Sequence, residues 1–160
     1  MDNRVIGEAP RARMRAECLV HRATYVFVLD GAGRVLVQRR TATKDIWPAF
    51  HDLAAGGVVA AGESYDEGAA REAAEELGLE GVPLEPRFEF YYEDPMNRCF
   101  GRVYTCVHTG PFRLQPEEVE WVRFEPIDAV LDGRITPVTP DSLMALRRLV
   151  AEGLVCTSPS

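Results

Sequence analysis

No run of apolar residues in this 160-residue chain reaches the ~20 that a membrane-spanning helix requires. The amino-terminal stretch lacks the basic, apolar and small-residue succession of an export signal, and no internal repeat or low-complexity tract is present. Cysteine is sparse: Cys18, Cys99, Cys106 and Cys156 form no C-x-x-C pair and show no Cys/His ligand spacing. That argues against a zinc site and for a reduced, cytoplasmic protein. Positive charge is in deficit, with 18 Lys and Arg against 25 Asp and Glu and a net charge of −7. Nucleic-acid polymers reward clustered Lys and Arg, so a role in coating them is disfavoured. Small anionic substrates stay open, because a bound metal can carry the countercharge. Apolar side chains are plentiful at 46% of residues, enough at this length for one ordinary core. A single domain over residues 1–160 is expected, with a lead-in over 1–22, a core over about 22–152 and a tail over 153–160 whose last residues, CTSPS, fray.

The densest local signal is the stretch from Gly57 to Leu79, GVVAAGESYDEGAAREAAEELGL. Ser64 followed three residues later by Glu67 has the spacing of a capping box, so a helix is expected to begin near Tyr65. Ala69, Ala70, Ala73 and Leu77 recur at helical spacing as an apolar stripe, and Gly78 supplies the left-handed residue that ends the helix near Leu77. Glu72, Glu75 and Glu76 then stand at i, i+3 and i+4 on a face beside that stripe. Like charges so placed repel by roughly 0.2–0.5 kcal/mol per pair, unless a hard divalent cation such as Mg²⁺ or Mn²⁺ takes their oxygens. An acidic helix face is more often simply solvated, and the surroundings decide between the two readings.

Gly57, Glu63, Arg71, Glu72, Ala73, Glu75, Glu76, Gly78 and Leu79 fill every fixed position of G-x5-E-x7-R-E-U-x-E-E-x-G-U, where U is aliphatic or small. Seven fixed residue types at ~10% frequency coincide by chance with a probability on the order of 10⁻⁷. This string is the signature of the Nudix hydrolases, and the chain resembles that family without a departure beyond the small Ala73 in the aliphatic slot. The resemblance implies an α/β/α sandwich, with a mixed sheet between the box helix and a carboxy-terminal helix. It implies Mg²⁺, or Mn²⁺, held by Glu72, Glu75 and Glu76 with a backbone carbonyl of the loop at Gly56, and Arg71 pairing with Glu75 to orient the cluster. Glu63 has a plainer alternative, bracing the loop against Arg71, and Gly62 that of a turn residue. Outside the box, HRATYVFV, LVQRR, KDIWP and EEVEW resemble the bacterial YfcD-like branch, related to isopentenyl-diphosphate isomerase.

Residues 1–23 are polar and arginine-rich, with room for a short helix that packs Met14 and Leu19 on the body. His21 or Arg22 could instead face a phosphate. ATYVFVLD (residues 23–30) and VLVQRR (residues 35–40) are β-rich runs joined by a Gly-Ala-Gly-Arg turn, which reads as a hairpin. Arg39, Arg40 and Lys44 follow as a basic cluster at a place that borders the substrate cleft in Nudix folds, so they are candidate diphosphate contacts. Trp47 either closes the core or stacks on a base. A short strand is expected over Leu53–Ala55, then strands over 87–94, 99–109 and Trp121–Glu125. A last helix opens with Thr139 as cap and Pro140 in its first turn, and carries Leu143, Met144, Leu146, Leu149 and Val150 as its core stripe.

The activity implied is hydrolysis of a pyrophosphate linkage in a nucleoside diphosphate derivative, with water attacking phosphorus and either Glu75 or Glu118 as base. The partner is then a small nucleotide or diphosphate, and a homodimer stays open. An isomerase of the related branch needs a Cys before the box glycine, a metal-binding His beyond it and a Glu on a later strand. Gly56 and Val58 occupy the first two places, and residues 99–106 contain no Glu. A nucleotide-sensing module without turnover is the other alternative, and such modules often have a broken box where this one is complete.

Overall fold

The computed structural model describes residues 2–157. Its central strand, β1 (His21–Leu29), is buried on both faces because its side chains alternate between two separate cores. Tyr25 and Phe27 enter one core with Val103, Leu146 and Leu149, while Val26 and Val28 enter the other with Ala69, Ala73 and Leu77. β1 runs parallel to β5 (Arg98–Val107), from His21 opposite Cys99 to Leu29 opposite Val107, and β5 pairs antiparallel with β4 (Glu85–Glu93).

On the other side, β2 (Arg34–Arg40) returns from the expected turn and meets β1 at Leu29 and Val35. It then pairs along its length with β6 (Val119–Pro126) and at its end with the two-residue β3 (His51–Asp52). The sheet order is β3-β2-β1-β5-β4, with β6 on β2. The opening between β1 and β2 is filled by the chain after β3. Val26 N–H donates to Ala55 O at 2.7 Å, Thr24 N–H to Gly57 O at 3.0 Å, and Val59 N–H to Arg22 O at 2.9 Å. The glycine loop is therefore fastened to β1 as a substitute strand.

The helix α2 (Tyr65–Leu77) covers one face of the sheet and α4 (Pro140–Ala151) the other, giving the mixed α/β/α sandwich that the resemblance implied. The lead-in does contain a short helix, α1 (Arg11–Ala16), pinned by buried Met14. Three local expectations need correction. Leu53–Ala55 do not form a strand: Ala55 bonds Val26, and Leu53 N–H donates to the Ser142 hydroxyl at 3.4 Å, so no ladder extends there. Ala70 and Met144 are exposed; the inward stripe of α2 runs through Tyr65, Ala69, Ala73 and Leu77, and Ala145 takes the buried place in α4. A further helix, α3 (Ile127–Leu131), was not expected, because five residues are too short to show a helical period. Of the tail expected to fray, residues 158–160 lie outside the described residues. Among the described residues no helix is long and apolar enough to cross a membrane.

Candidate active site

The box helix starts and stops where its end signals lie. Ser64 Oγ accepts the Glu67 N–H at 3.2 Å, the Glu67 carboxylate accepts the Ser64 N–H at 2.8 Å, and Gly78 ends the helix at φ 73°. These ends fix the rotation of α2 and hence the direction of each glutamate. Glu76 turns inward and is 4% exposed, Glu72 is half-buried, and Glu75 faces solvent. The cluster is therefore graded in burial rather than spread on one solvated face.

Glu76 Oε2 accepts the Gly56 N–H at 3.2 Å and lies 3.4 Å from Gln38 Nε2. Burial pushes its carboxyl up to about 7; Lys44 opposes the shift, and the charges of Glu72 and Asp52 add to it. The two loop glycines answer to different neighbours. A β-carbon on Gly56 would stand 1.9 Å from the Thr24 carbonyl oxygen, and one on Gly57 would stand 2.6 Å from Glu72 Oε1. Arg71 makes a fork on Glu63, Nε to Oε1 at 2.8 Å and Nη2 to Oε2 at 3.0 Å, and its Nη1 reaches Glu72 at 2.8 Å. Its pairing with Glu75 is longer, at 3.4 Å. Glu63 also accepts the Ala60 N–H at 2.9 Å, so it braces the loop as its plainer reading had it. The hydrogen-bonded Arg71 holds Glu63 below the usual carboxylate range.

The facing wall comes from the segments after β2 and before β6. Lys44, the chain's one lysine, is paired with Glu118, and burial lowers its pKa. Thr41 Oγ1 donates to Glu117 O at 2.9 Å and Thr41 N–H to Glu118 O at 3.2 Å, tying the two segments together. Arg40 bonds Asp52 Oδ2 at 2.9 Å, Ile46 O at 2.9 Å and Trp47 O at 3.2 Å, so its fork braces the loop that follows it. Trp47 is buried edge-on to Tyr92, with ring centres 6.1 Å apart.

Gly56, Arg71 and the three glutamates on one wall, and Arg40, Lys44, Trp47 and Glu118 on the other, line a single cleft of about 220 Å³. Of the basic cluster, Arg39 is not brought there; it points to Glu120 at 3.7 Å, because neighbouring residues on a strand face opposite ways. Arg22 bonds the Asn3 side chain at 2.9 Å and the Asn3 carbonyl at 2.6 Å and lies over the Tyr65 ring, so its cation already has partners; His21 does line the cleft.

Other residues of the cleft carried no sequence motif. Tyr25 hydroxyl donates to Asp141 Oδ2 at 2.7 Å on the cleft floor beside Asp52 and Asn97, and burial, with the Asp52 charge, pushes Asp141 up to about 7. In the sequence, Asp141 carries no signal beyond its place between Pro140 and the apolar stripe of the last helix. Arg11 and Arg15 of α1 also reach the cleft.

Among the described residues, no three His, Cys, Asp or Glu side chains converge closely enough to enclose a cation as they stand. Glu72 is held by Arg71 while Glu75 faces outward. The donor chemistry nevertheless fits a hard divalent ion. Glu76 is a buried carboxylate with few donors, the neighbouring Gln38 Oε1 is buried without a partner, and Glu72 abuts the same glycine turn.

A glutamate-bearing helix facing a glycine turn that is stitched to the sheet is shared with a known class of protein. The chain belongs to the Nudix family: the model of the NUDIX domain matches residues 19–146. It is 51% identical over 148 residues to a protein of Escherichia coli (strain K12) named "Uncharacterized Nudix hydrolase YfcD", covering 91% of this chain and 80% of that one. It is 46% identical over 154 residues to another Nudix hydrolase, from Streptomyces coelicolor, covering 94% and 84%. Among solved structures, the MutT protein of Methanosarcina mazei superposes with a TM-score of 0.72 at 22% identity, over 84% of this chain and 95% of that one. A Deinococcus radiodurans protein does so with a TM-score of 0.71 at 24% identity, over 80% and 82%. At such identities the likeness is one of fold.

Proposed function

We propose that this Nudix hydrolase cleaves a pyrophosphate linkage in a nucleoside diphosphate derivative by attack of water at phosphorus, in a reaction that depends on Mg²⁺ or Mn²⁺. The observation that carries the reading is the buried Glu76 carboxylate at the glycine turn, facing Lys44 across a polar cleft. Glu72, Glu75 and Glu76 would hold the cation, which supplies positive charge against the pyrophosphate and its leaving oxygen. Arg71, fixed by Glu63, orients Glu72. Lys44 offers an ammonium to a phosphate oxygen. Glu118 and Glu75 are the two carboxylates available to take a proton from water, and the Lys44 pairing supports Glu118 by holding it at the cleft.

The isomerase alternative gains nothing from the buried thiol of Cys99. It contacts Tyr25 at 3.4 Å, burial pushes it up to about 12, and it does not line the cleft.

The test pairs Glu76→Gln and Glu72→Gln with a panel of nucleoside di- and triphosphates, ADP-ribose, NADH and isopentenyl diphosphate in Mg²⁺ and Mn²⁺. Turnover of the cleaved substrate should fall by about 10²–10⁴-fold in either variant, and Mn²⁺ binding should weaken. Oxygen-18 from water should enter the phosphate product. A folded Glu76→Gln protein with unchanged activity and metal affinity would sink the assignment, and solvent deuterium entering isopentenyl diphosphate would favour the isomerase.

A further inference from the structure

Beyond the glutamates, the cleft continues to a cationic wall that the proposed chemistry leaves without a task. Arg11 and Arg15 stand four residues apart on α1 and both line the cleft. The phase of the helix is fixed: Met14 is 6% exposed and anchors it, and Arg13 turns away to Glu17 at 2.9 Å. Both cleft-side guanidiniums converge on one carboxylate, Asp45, at 3.5 Å from Arg11 and 3.0 Å from Arg15. Arg15 also reaches Oδ1 of the buried Asn97 at 3.4 Å.

The other cleft cations are differently placed. Lys44 has Glu118, Arg40 has Asp52, and Arg71 has Glu63 and Glu72. On α1 two guanidiniums share a single counter-ion, which leaves positive charge over in a chain whose net charge is −7. Two adjacent guanidinium forks match the oxygens of a phosphate, and the Arg15 side chain, 21% exposed and already held, has little freedom left to lose on binding.

Building on the hydrolase reading above, we propose that Arg11 and Arg15 form an anion subsite selecting diphosphate derivatives that carry a further phosphate away from the scissile linkage. The glutamate wall takes the diphosphate, and the α1 wall reads the second phosphate. Asp45, the shared partner of both guanidiniums, competes with the ligand for them.

The test uses ligand pairs that differ by one phosphate, NADPH against NADH and coenzyme A against dephospho-coenzyme A. Binding is measured by calorimetry in Ca²⁺ and turnover in Mg²⁺, with the full chain. In at least one pair the phosphate-bearing member should bind about 10-fold or more tighter, the scale of a charged hydrogen-bonded contact. The double variant Arg11→Ala/Arg15→Ala should bring the two members within about 2-fold of each other, the loss falling on the phosphate-bearing one. Asp45→Asn removes the competing carboxylate and should tighten that member, a gain that a damaged fold would not produce. Equal or absent binding of both members in every pair, or a preference that survives the double variant, overturns the proposal. So does a looser phosphate-bearing complex in Asp45→Asn. If the preference behaves as expected while nothing is hydrolysed, the hydrolase reading fails and the subsite stands.

Discussion

Gly57 and Glu72 compete for one small volume. An added methyl on Gly57 would press on the far end of a flexible side chain, 2.6 Å from its Oε1, so the fold can tolerate it while Glu72 cannot stay in place. Gly57→Ala is therefore expected to remain folded yet lose on the order of 10-fold or more in turnover and in Mn²⁺ affinity, a misplacement effect readable by kinetics and metal titration. Gly56→Ala should fail differently. Its methyl would meet the Thr24 carbonyl, which cannot rotate away, so about 1–3 kcal/mol or more of stability should be lost in urea unfolding. Gly57 was legible in the sequence as the first position of a motif, and Gly56 only as the loop residue before it. Which glycine protects a backbone and which protects a carboxylate was not, because both neighbours come from elements distant along the chain.

The box helix shows how far local signals reach. Its ends, Ser64, Glu67 and Gly78, act within one turn of chain, and they place Tyr65–Leu77 as read from sequence. Ser64→Ala should remove one arm of the capping box and cost about 1 kcal/mol, seen as a drop of roughly 2–4 °C in Tm by calorimetry. Signals that depend on distant partners were not legible. Ala70 and Met144 match an apolar stripe by spacing, yet both are exposed; Ala69 of the same stripe is buried as expected, and in α4 the neighbouring Ala145 takes the buried place. Leu53–Ala55 have strand-like composition, but only Ala55 pairs with β1, at Val26, while the Leu53 N–H turns to the Ser142 hydroxyl and the Ala54 carbonyl to the Gln38 side chain. For the site the same division holds: Glu72, Glu76 and Arg71 sit in one motif, whereas Asp141, Asn97, Arg11 and Arg15 meet them only through the folded chain.

At the scale of the molecule, Asp141 joins the layers, since it lies at the start of α4 and holds Tyr25 of β1. Its carboxyl sits at about 7 in the folded chain against an ordinary 3.8, so between those values the folded protein keeps a proton that the unfolded chain releases. Stability from this group is full below pH ~4 and is lost as pH rises through about 7. Glu63, held low by Arg71, acts in the opposite sense and only as pH falls through the ordinary glutamate range. Glu76, also pushed up to about 7 by burial, acts in the same sense as Asp141; urea midpoints should therefore decline from pH 4.5 to 8, and Asp141→Asn should make that decline smaller, leaving the share of Glu76. A parallel decline in the variant would assign it elsewhere. The separation of β1 from β2 has a different kind of consequence. The glycine turn is stitched to β1 and backed by α2, whereas Lys44, Trp47 and Glu118 hang from the β2–β6 pair. On the proposed reading, the cation's ligands rest on the first support, while the Lys44 and Trp47 contacts and the candidate base Glu118 rest on the second, so substitutions that change what enters the cleft can accumulate around Lys44 and Trp47 without moving the cation's ligands.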